Sequence, residues 1–336
     1  MEESSATAAK AAPSTAEKPD SNTSHNNKKR KTMEDALAAK QQQPLTKEGE
    51  RPQKKFYRQR AHCNPLSHND AFEYPIRPNL IDWTEEHYPH FANDSNDGSD
   101  NPTNQIAKCQ PTVLDVGCGF GGLTMALGHL LPKDTFILGM EIRAKVAEYV
   151  RLRIVAARSG TPDENHGQDE HVVTSSVPCT HHNVSVLRTN SQKFLPNYFA
   201  KHSLEKLFFC FPDPHFKRKN HPRRIISDRL LAEYAYLLQP GTGKLYCITD
   251  VLELHQWHVA KCDAHPLLQR LSPDEEKDDP CIEAMQKETE EGQKVARNKG
   301  SKYHAVYRRI DTDVEERLLH QVTADNFFGN SPVAST

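Results

Sequence analysis

The rhythm of apolar and polar positions changes near residue 55 and again near residue 111. Residues 1 to about 55 are mostly Ala, Ser, Thr, Asn, Gln and Lys, with almost no large apolar groups. Such a stretch cannot bury enough surface to offset the entropy of ordering, so it reads as a disordered tail. From about 111 onward, short apolar runs alternate with longer amphipathic ones. That alternation predicts an α/β fold, a mostly parallel central sheet with helices on both faces. The predicted strands are Thr112 to Val116, Thr135 to Glu141, Val184 to Arg188, Leu207 to Phe211, Lys244 to Thr249 and Ala305 to Ile310. Apolar residues at helical spacing predict helices at Leu123 to Leu131, Ala144 to Arg158, Ser191 to Lys201 and Ser227 to Leu238, with Gly241 and Gly243 turning the last of these into the next strand. Two polar inserts, about 93–107 and 159–182, read as surface loops. The expected organisation is a tail over 1–55, one domain over 56–312 and a poorly specified tail over 313–336.

Composition agrees with a chain that is only partly core: 36% of its 336 residues are apolar and its mean hydropathy is -0.76. The net charge is -2, so any nucleic-acid binding has to come from local patches. One patch is Arg51, Lys54, Lys55, Arg58 and Arg60, and a second follows residue 213; Asp274, Glu275, Glu276, Asp278 and Asp279 offset them elsewhere. Lys28-Lys29-Arg30-Lys31 has the form of a nuclear-import signal. The nucleus is therefore the expected location, with the cytoplasm as a second.

The 8 cysteines show no C-x-x-C spacing, and no apolar N-terminal segment directs secretion. A reducing, intracellular setting is expected, and the sequon Asn93-Asp-Ser95 is not expected to be glycosylated. Cys179, His181 and His182 sit in a polar loop with no second ligand pair, so no metal is expected. No apolar run approaches the length of a membrane span.

Residues 207 to 224 carry the strongest chemical signal. The apolar run Leu207 to Phe211 stops at Asp213, a carboxylate held between Pro212 and Pro214. Each proline fixes its own φ and biases the residue before it toward extended backbone, which confines the carboxylate to a narrow range of geometries. Lys217, Arg218, Lys219, Arg223 and Arg224 follow at once and suit an anionic ligand such as a phosphate backbone. The competing reading is a polar turn before a solvated basic helix.

A second signal lies after the first strand, in Asp115-Val116-Gly117-Cys118-Gly119-Phe120-Gly121-Gly122. Glycines permit positive φ and close approach of a ligand to the backbone, and the helix that follows offers free N–H groups. The spacing also satisfies G-x-G-x-x-G, so a nicotinamide-dependent oxidoreductase has to be weighed. Glu141 ends the next strand, where a carboxylate can accept from both hydroxyls of a ribose; a helix-start acid is equally compatible. Asp115 before the glycines is typical of loops that hold the amino-acid portion of S-adenosylmethionine, and the crowded glycines leave no evident place for a pyrophosphate. Asn190 can read an adenine edge or cap the helix starting at Ser191. Asp213 then arrives at the carboxyl edge of the sheet, where open α/β sheets bind ligands.

Together these motifs resemble the eukaryotic tRNA (guanine-N7)-methyltransferases, the catalytic subunits of a two-protein enzyme. The resemblance runs from about Arg58 to Ile310 through Gln59-Arg60-Ala61-His62, the Gly117 loop, Gly139-Met-Glu-Ile-Arg143, Phe211-Pro-Asp-Pro-His-Phe-Lys-Arg218, Ala232-Glu-Tyr-Ala-Tyr236, Ile248-Thr-Asp-Val-Leu-Glu-Leu-His255 and Thr289-Glu-Glu-Gly292. It implies a Rossmann-like class I methyltransferase fold. It places S-adenosylmethionine on Gly117, Gly119, Glu141, Ile142, Arg143, Asn190, Ser191 and Cys210, with Thr289, Glu290 and Glu291 added to the site, and makes Asp213 the active-site residue. Without the resemblance those last three read as an exposed helix start. It also implies a tRNA substrate and a WD-repeat propeller as non-catalytic partner. The long N-terminal tail and the enlarged 159–182 insert depart from the family pattern, and neither touches the motifs.

The expected reaction is methyl transfer to N7 of guanosine, with Asp213 accepting from the guanine edge and Phe216 and Phe211 beside the turned-out base, a core position being equally compatible for Phe211. Two other readings stand beside it. One is the oxidoreductase, which lacks a convincing hydride-relay pair. The other is a non-catalytic RNA-binding scaffold that keeps the methyltransferase fold.

Overall fold

The computed structural model describes residues 46–47, 49–60, 63–67, 71–94, 109–160, 180–317 and 319. The expected N-terminal tail up to residue 45 with its basic run, most of both inserts, Cys179 and nearly all of the C-terminal tail lie outside them. The described residues, from Thr46 onward, form one compact unit.

Seven strands make its sheet: β1 (Val113–Val116), β2 (Ile137–Glu141), β3 (Val184–Arg188), β4 (Lys206–Cys210), β5 (Lys244–Thr249), β6 (Leu268–Arg270) and β7 (Tyr303–Arg309). Their spatial order is β3-β2-β1-β4-β5-β7-β6. The first five are parallel, and β7 runs antiparallel to both β5 and β6. Chain order reverses between β1 and β4, the place where an α/β sheet of this kind opens a crevice at its carboxyl edge.

Parallel strands covered on both faces read as unbroken apolar runs, and β4 shows why. Leu207 and Phe209 pack into the core on one face with Leu114, Val116, Leu245 and Tyr234. Phe208 enters the core on the other face with Val113, Ile137, Tyr246 and Ile248. Phe208 and Tyr246 stack there with ring centroids 4.3 Å apart. Burying a side chain of this size contributes about 1.5–3 kcal/mol over leaving it exposed.

The helices are α1 (Trp83–Glu86), α2 (Gly122–Leu130), α3 (Ala144–Arg158), α4 (Ser191–Tyr198), α5 (Asp228–Leu237), α6 (Leu252–Asp263), α7 (Pro273–Lys277), α8 (Pro280–Lys287) and α9 (Glu290–Arg297). The six strands and four helices expected from periodicity are present, with ends shifted by up to three residues. Helix α1 and everything between 250 and 300, namely α6, β6, α7, α8 and α9, go beyond that expectation. Among the described residues no helix is long and apolar enough to cross a membrane.

Ahead of the sheet, Tyr57 is buried edge-on against Tyr149 of α3. Trp83 stacks on Phe199, and the buried Tyr88 hydroxyl donates to the Ile137 carbonyl at 2.9 Å. This N-terminal stretch is therefore folded against the sheet by its aromatic residues.

Candidate active site

The first turn forms because glycine stands at each point where the backbone enters the left-handed region: Gly117 has φ +79° and Gly119 φ +56°. The Gly117 and Cys118 N–H groups donate to the Met140 carbonyl at 2.8 and 3.1 Å, which ties the turn to the end of β2. A Cβ added at Gly117 would meet nothing within 4 Å. The backbone there borders open space, as a turn that cradles a ligand must.

Three carboxylates gather around this turn. Asp115, 2% exposed, accepts from the Thr124 hydroxyl at 2.6 Å. Burial pushes its carboxyl up to about 7; the Thr124 hydrogen bond opposes that, and the charges of Glu290 and Glu141 add to it. Glu141, 3% exposed, accepts at Oε1 from the Arg143 backbone N–H, 2.9 Å, and from Arg143 Nε, 3.1 Å, while Oε2 takes Nη2 at 2.8 Å. Burial pulls the Arg143 guanidinium down, but its bonds to Glu141 outweigh that and leave it above its ordinary value. Ile142 lies half-buried between them.

Glu290 completes the group from far along the chain. Thr289 caps α9, its Oγ1 accepting from Gly292 N–H at 3.1 Å. The Glu288 carbonyl just before it lies so close to Gly122 that an added Cβ would sit 2.1 Å away. Only glycine at the start of α2 lets α9 approach, and the approach carries Glu290 to the turn. Lys54 reaches Glu290 Oε1 at 3.0 Å, with its ammonium 5.4 Å from the Phe120 ring centroid. Glu291 is exposed and pairs with Lys294 at 3.0 Å.

On the neighbouring strand ends, the Asn190 side chain is used within the protein: Oδ1 accepts from Gln192 N–H at 3.1 Å as the cap of α4, and Nδ2 donates to the Pro65 carbonyl at 2.6 Å. Of the two sequence readings, the cap is the one seen. Ser191 opens α4 and is half-buried. Cys210 ends β4 one residue past Phe209, the parallel partner of Val116, so it borders Gly117. Burial raises its thiol, and Asp115 adds to the effect.

The Pro212-Asp213-Pro214 turn follows, and here the backbone departs from expectation. Phe211, predicted to be extended because a proline follows, has φ +49°, and His215 on the far side has φ +45°. The Phe211 N–H donates to Ile248 O at 2.8 Å, so pairing with β5 outweighs the local preference. Asp213 is part-exposed; its Oδ1 accepts from His215 N–H at 3.2 Å and lies 3.8 Å from His215 Nδ1. Phe211 packs against the core, whereas Phe216 is 67% exposed.

The cations after the turn divide. Lys217, Arg218 and Lys219 are exposed and Arg223 is half-buried. Arg224 is a correction: its side chain is 2% exposed, and its guanidinium is bonded to the Pro214 carbonyl and to the exposed Glu253 carboxylate. Lys54, read from sequence as one more cation of an RNA-facing patch, is instead ion-paired to Glu290. Sequence reasoning tied Asp115 to the amino-acid portion of the methyl donor but did not foresee its approach to Glu141 and Glu290, and it gave Glu253 no role although that residue lies in a quoted motif.

Near the expected metal-free loop, His181 Nδ1 bonds Thr180 Oγ1 at 2.6 Å and Nε2 bonds the Met125 carbonyl at 3.1 Å. Among the described residues no group of three or more His, Cys, Asp or Glu could hold a metal ion. A separate open groove of about 430 Å³, lined among others by Glu276, Asp279, Glu283 and His304, contains none of the site residues.

A family profile described as putative methyltransferase matches residues 109–305. The chain is 48% identical over 259 residues to the tRNA (guanine-N(7)-)-methyltransferase of Lodderomyces elongisporus, covering 77% of this chain and 75% of that one. The protein of that name from Botryotinia fuckeliana is 45% identical over 294 residues, covering 85% and 97%. The one from Schizosaccharomyces pombe is 48% identical over 263 residues, covering 78% and 87%.

Proposed function

The chain belongs to the tRNA (guanine-N7-)-methyltransferase family, and on that premise we propose that it transfers the methyl group of S-adenosylmethionine to N7 of a guanosine in tRNA. One observation carries the reading at the level of the site. The glycine turn with Asp115, the Glu141 carboxylate and the Pro212-Asp213-Pro214 turn stand at the carboxyl ends of the adjacent strands β1, β2 and β4, and the start of α9 brings Glu290 to the glycine turn.

The residues present fit the methyl donor. Bound S-adenosylmethionine supplies an electrophilic methyl on a sulfonium and carries an ammonium as well. Three buried or part-buried carboxylates, one of them raised to about 7 by burial and by the others, form a place that favours a cation. Gly117 and Gly119 offer backbone without side chains in the way, and Glu141 has the lone-pair capacity to take a ribose hydroxyl.

N7 of guanine has a lone pair and no proton, so the reaction asks the chain for positioning and not for a general base. Asp213 accepts hydrogen bonds from the guanine edge and balances the positive charge that grows on the purine as the methyl arrives. The exposed Phe216 supports a base turned out of its stack. Lys217, Arg218, Lys219 and Arg223 hold the backbone that leads to it. Family membership removes the nicotinamide reading: the same glycines serve a different ligand.

The resemblance to a two-protein enzyme supports a WD-repeat propeller as partner. Exposed apolar residues ahead of the sheet, Tyr74, Ile76 and Leu80, offer surface for a second protein. The basic run Lys28-Lys29-Arg30-Lys31 supports a nuclear location.

The test is methyl transfer from labelled cofactor to a tRNA transcript, with and without the propeller subunit, followed by chemical cleavage at N7-methylguanosine. Label in tRNA with cleavage at a single guanosine is expected. Label without cleavage there overturns the assignment of the acceptor atom.

A further inference from the structure

Arg224 lies in the cation run that follows the active-site turn, yet it points inward. Its Nε donates to the Pro214 carbonyl at 2.9 Å and its Nη2 to Glu253 Oε1 at 3.0 Å. Its guanidinium carbon is 4.7 Å from the centroid of Trp257, whose Nε1–H is fixed on the Ile226 carbonyl at 2.7 Å. The Arg224 backbone N–H closes the short 3-10 turn of residues 218–223 on His221 O at 2.9 Å. One side chain thus joins the carboxyl end of β4 to α6.

What it holds is strained. Phe211 and His215, neither of them glycine, occupy positive φ on either side of Pro212-Asp213-Pro214. Such residues persist only where their surroundings over-determine them. The Phe211 N–H bond to Ile248 fixes the near side of the turn. On the far side, the proline at 214 has no N–H to donate, and its carbonyl is the backbone group available to hold the turn. Arg224 takes that carbonyl.

We propose that Arg224 is a positioning residue for Asp213: through the Pro214 carbonyl, and braced by Glu253 and Trp257, it sets where the carboxylate stands. This rests on the methyl-transfer reading above. The planar fork matters more than the charge, because Nε serves the turn while Nη2 serves the brace. Lysine carries its donors on a single nitrogen and lacks the rigid spread of the fork that reaches both acceptors here.

The experiment compares Arg224→Lys, Asp213→Asn and the double variant with the native chain in the full complex with tRNA. Lys keeps the buried charge and most of the packing. Arg224→Lys is expected to keep its melting temperature within a few degrees and to keep S-adenosylhomocysteine affinity, while kcat falls about 10- to 100-fold, the cost of misplacing a reacting group by about 1 Å. In the Asp213→Asn background the same change is expected to cost little more, since it acts through the carboxylate. A purely structural role would give additive losses that track stability.

Unchanged kcat, or a loss that simply adds to that of Asp213→Asn, overturns the inference. Should Arg224→Lys not fold, Glu253→Gln at an exposed position is read in its place: a smaller fall in kcat, again absent in the Asp213→Asn background, is expected, and an unchanged kcat overturns. If the native complex itself transfers no methyl to guanine N7, the proposed function fails instead, and the two failures are told apart by that control.

Discussion

Arg143 grips Glu141 with three donors, its own backbone N–H and both Nε and Nη2 of its guanidinium, all within 3.1 Å. A carboxylate has about four lone-pair sites, so roughly one is left for a ligand hydroxyl unless Arg143 gives way. Arg143 thus aims Glu141 and also limits it. Because the carboxylate is buried, removing it strands a cation; Glu141→Ala is expected to lower stability by about 3 kcal/mol, as breaking a buried pair does. It should also abolish the stabilisation given by S-adenosylhomocysteine. Urea unfolding with and without that ligand measures both, and an undiminished ligand effect would remove Glu141 from the site.

Asp115 should make ligand binding pH-dependent. Its folded pKa, about 7, lies above the ordinary carboxylate value, burial being the main cause. The fold therefore prefers the protonated form. Its contribution to stability is fully present below about pH 4 and is lost as the pH rises through about 7. Asp115→Asn should be more stable than the native chain at pH 8 and should converge with it near pH 4. A ligand ammonium favours the ionised carboxylate, so S-adenosylhomocysteine binding near pH 6.5 should release protons. Calorimetry in two buffers of different ionisation enthalpy reads that release directly, and identical heats would refute it.

The first five strands and the glycine turn were legible because their signals are local. An apolar run such as Leu207 to Phe211 can only be buried on both faces, and a turn built on Gly117 and Gly119 announces positive φ. The region from 250 to 300 was harder because three of its helices, α6, α7 and α9, bury little, although α8 buries Cys281, Ile282, Ala284 and Met285. Helix α6 buries Leu254, His258 and Cys262, a stripe one residue wide with a histidine in its middle. Helix α9 buries only Gly292 and Val295. Its start signal, Thr289 followed by two glutamates, is that of any capped surface helix. What brings Glu290 to the glycine turn is the missing side chain of Gly122, on a helix far earlier in the chain, and no local pattern encodes that approach. Charge runs misled for the same reason: Arg224 and Lys54 look like their solvated neighbours until tertiary partners appear.

The close approach at Gly122 gives a second test of the site. Gly122→Ala would place a methyl against the Glu288 carbonyl, which is backbone and cannot swing aside as a side chain can. The start of α9 must retreat, taking Thr289 and Glu290 with it. S-adenosylhomocysteine affinity is expected to fall at least about tenfold, while the circular dichroism of the folded chain is kept. Unchanged affinity would show that Glu290 is not needed at the turn.

Two buried histidines should set the acid limit of stability. Burial lowers His258 to about 3 and His87 to about 4, with His255 and Arg224 adding to the first and Arg158 to the second. Depressed folded values mean that their contribution is present above about pH 6.5 and is lost as the pH falls toward 4 and 3. His258 has no hydrogen-bond partner at either ring nitrogen among the described residues, so His258→Phe removes a group that must stay neutral and leaves no bond broken. Its acid-unfolding midpoint is expected below that of the native chain, and a midpoint that rises would count against the assignment.

The division of the cations after Asp213 can be read from salt dependence. Lys217, Arg218 and Lys219 are exposed, and removing one cation from a phosphate should reduce the slope of log affinity against log salt by about 0.7 to 1. Replacing all three with alanine should therefore flatten the slope for tRNA by about two to three while S-adenosylhomocysteine still binds. Arg224→Gln should leave the slope unchanged, because that guanidinium releases no counterion: its partners are Pro214 and Glu253. If Arg224→Gln flattened the slope as loss of the surface cations does, then the buried geometry would not describe the complex with RNA, and the clamp on the Pro-Asp-Pro turn would have to open when tRNA binds.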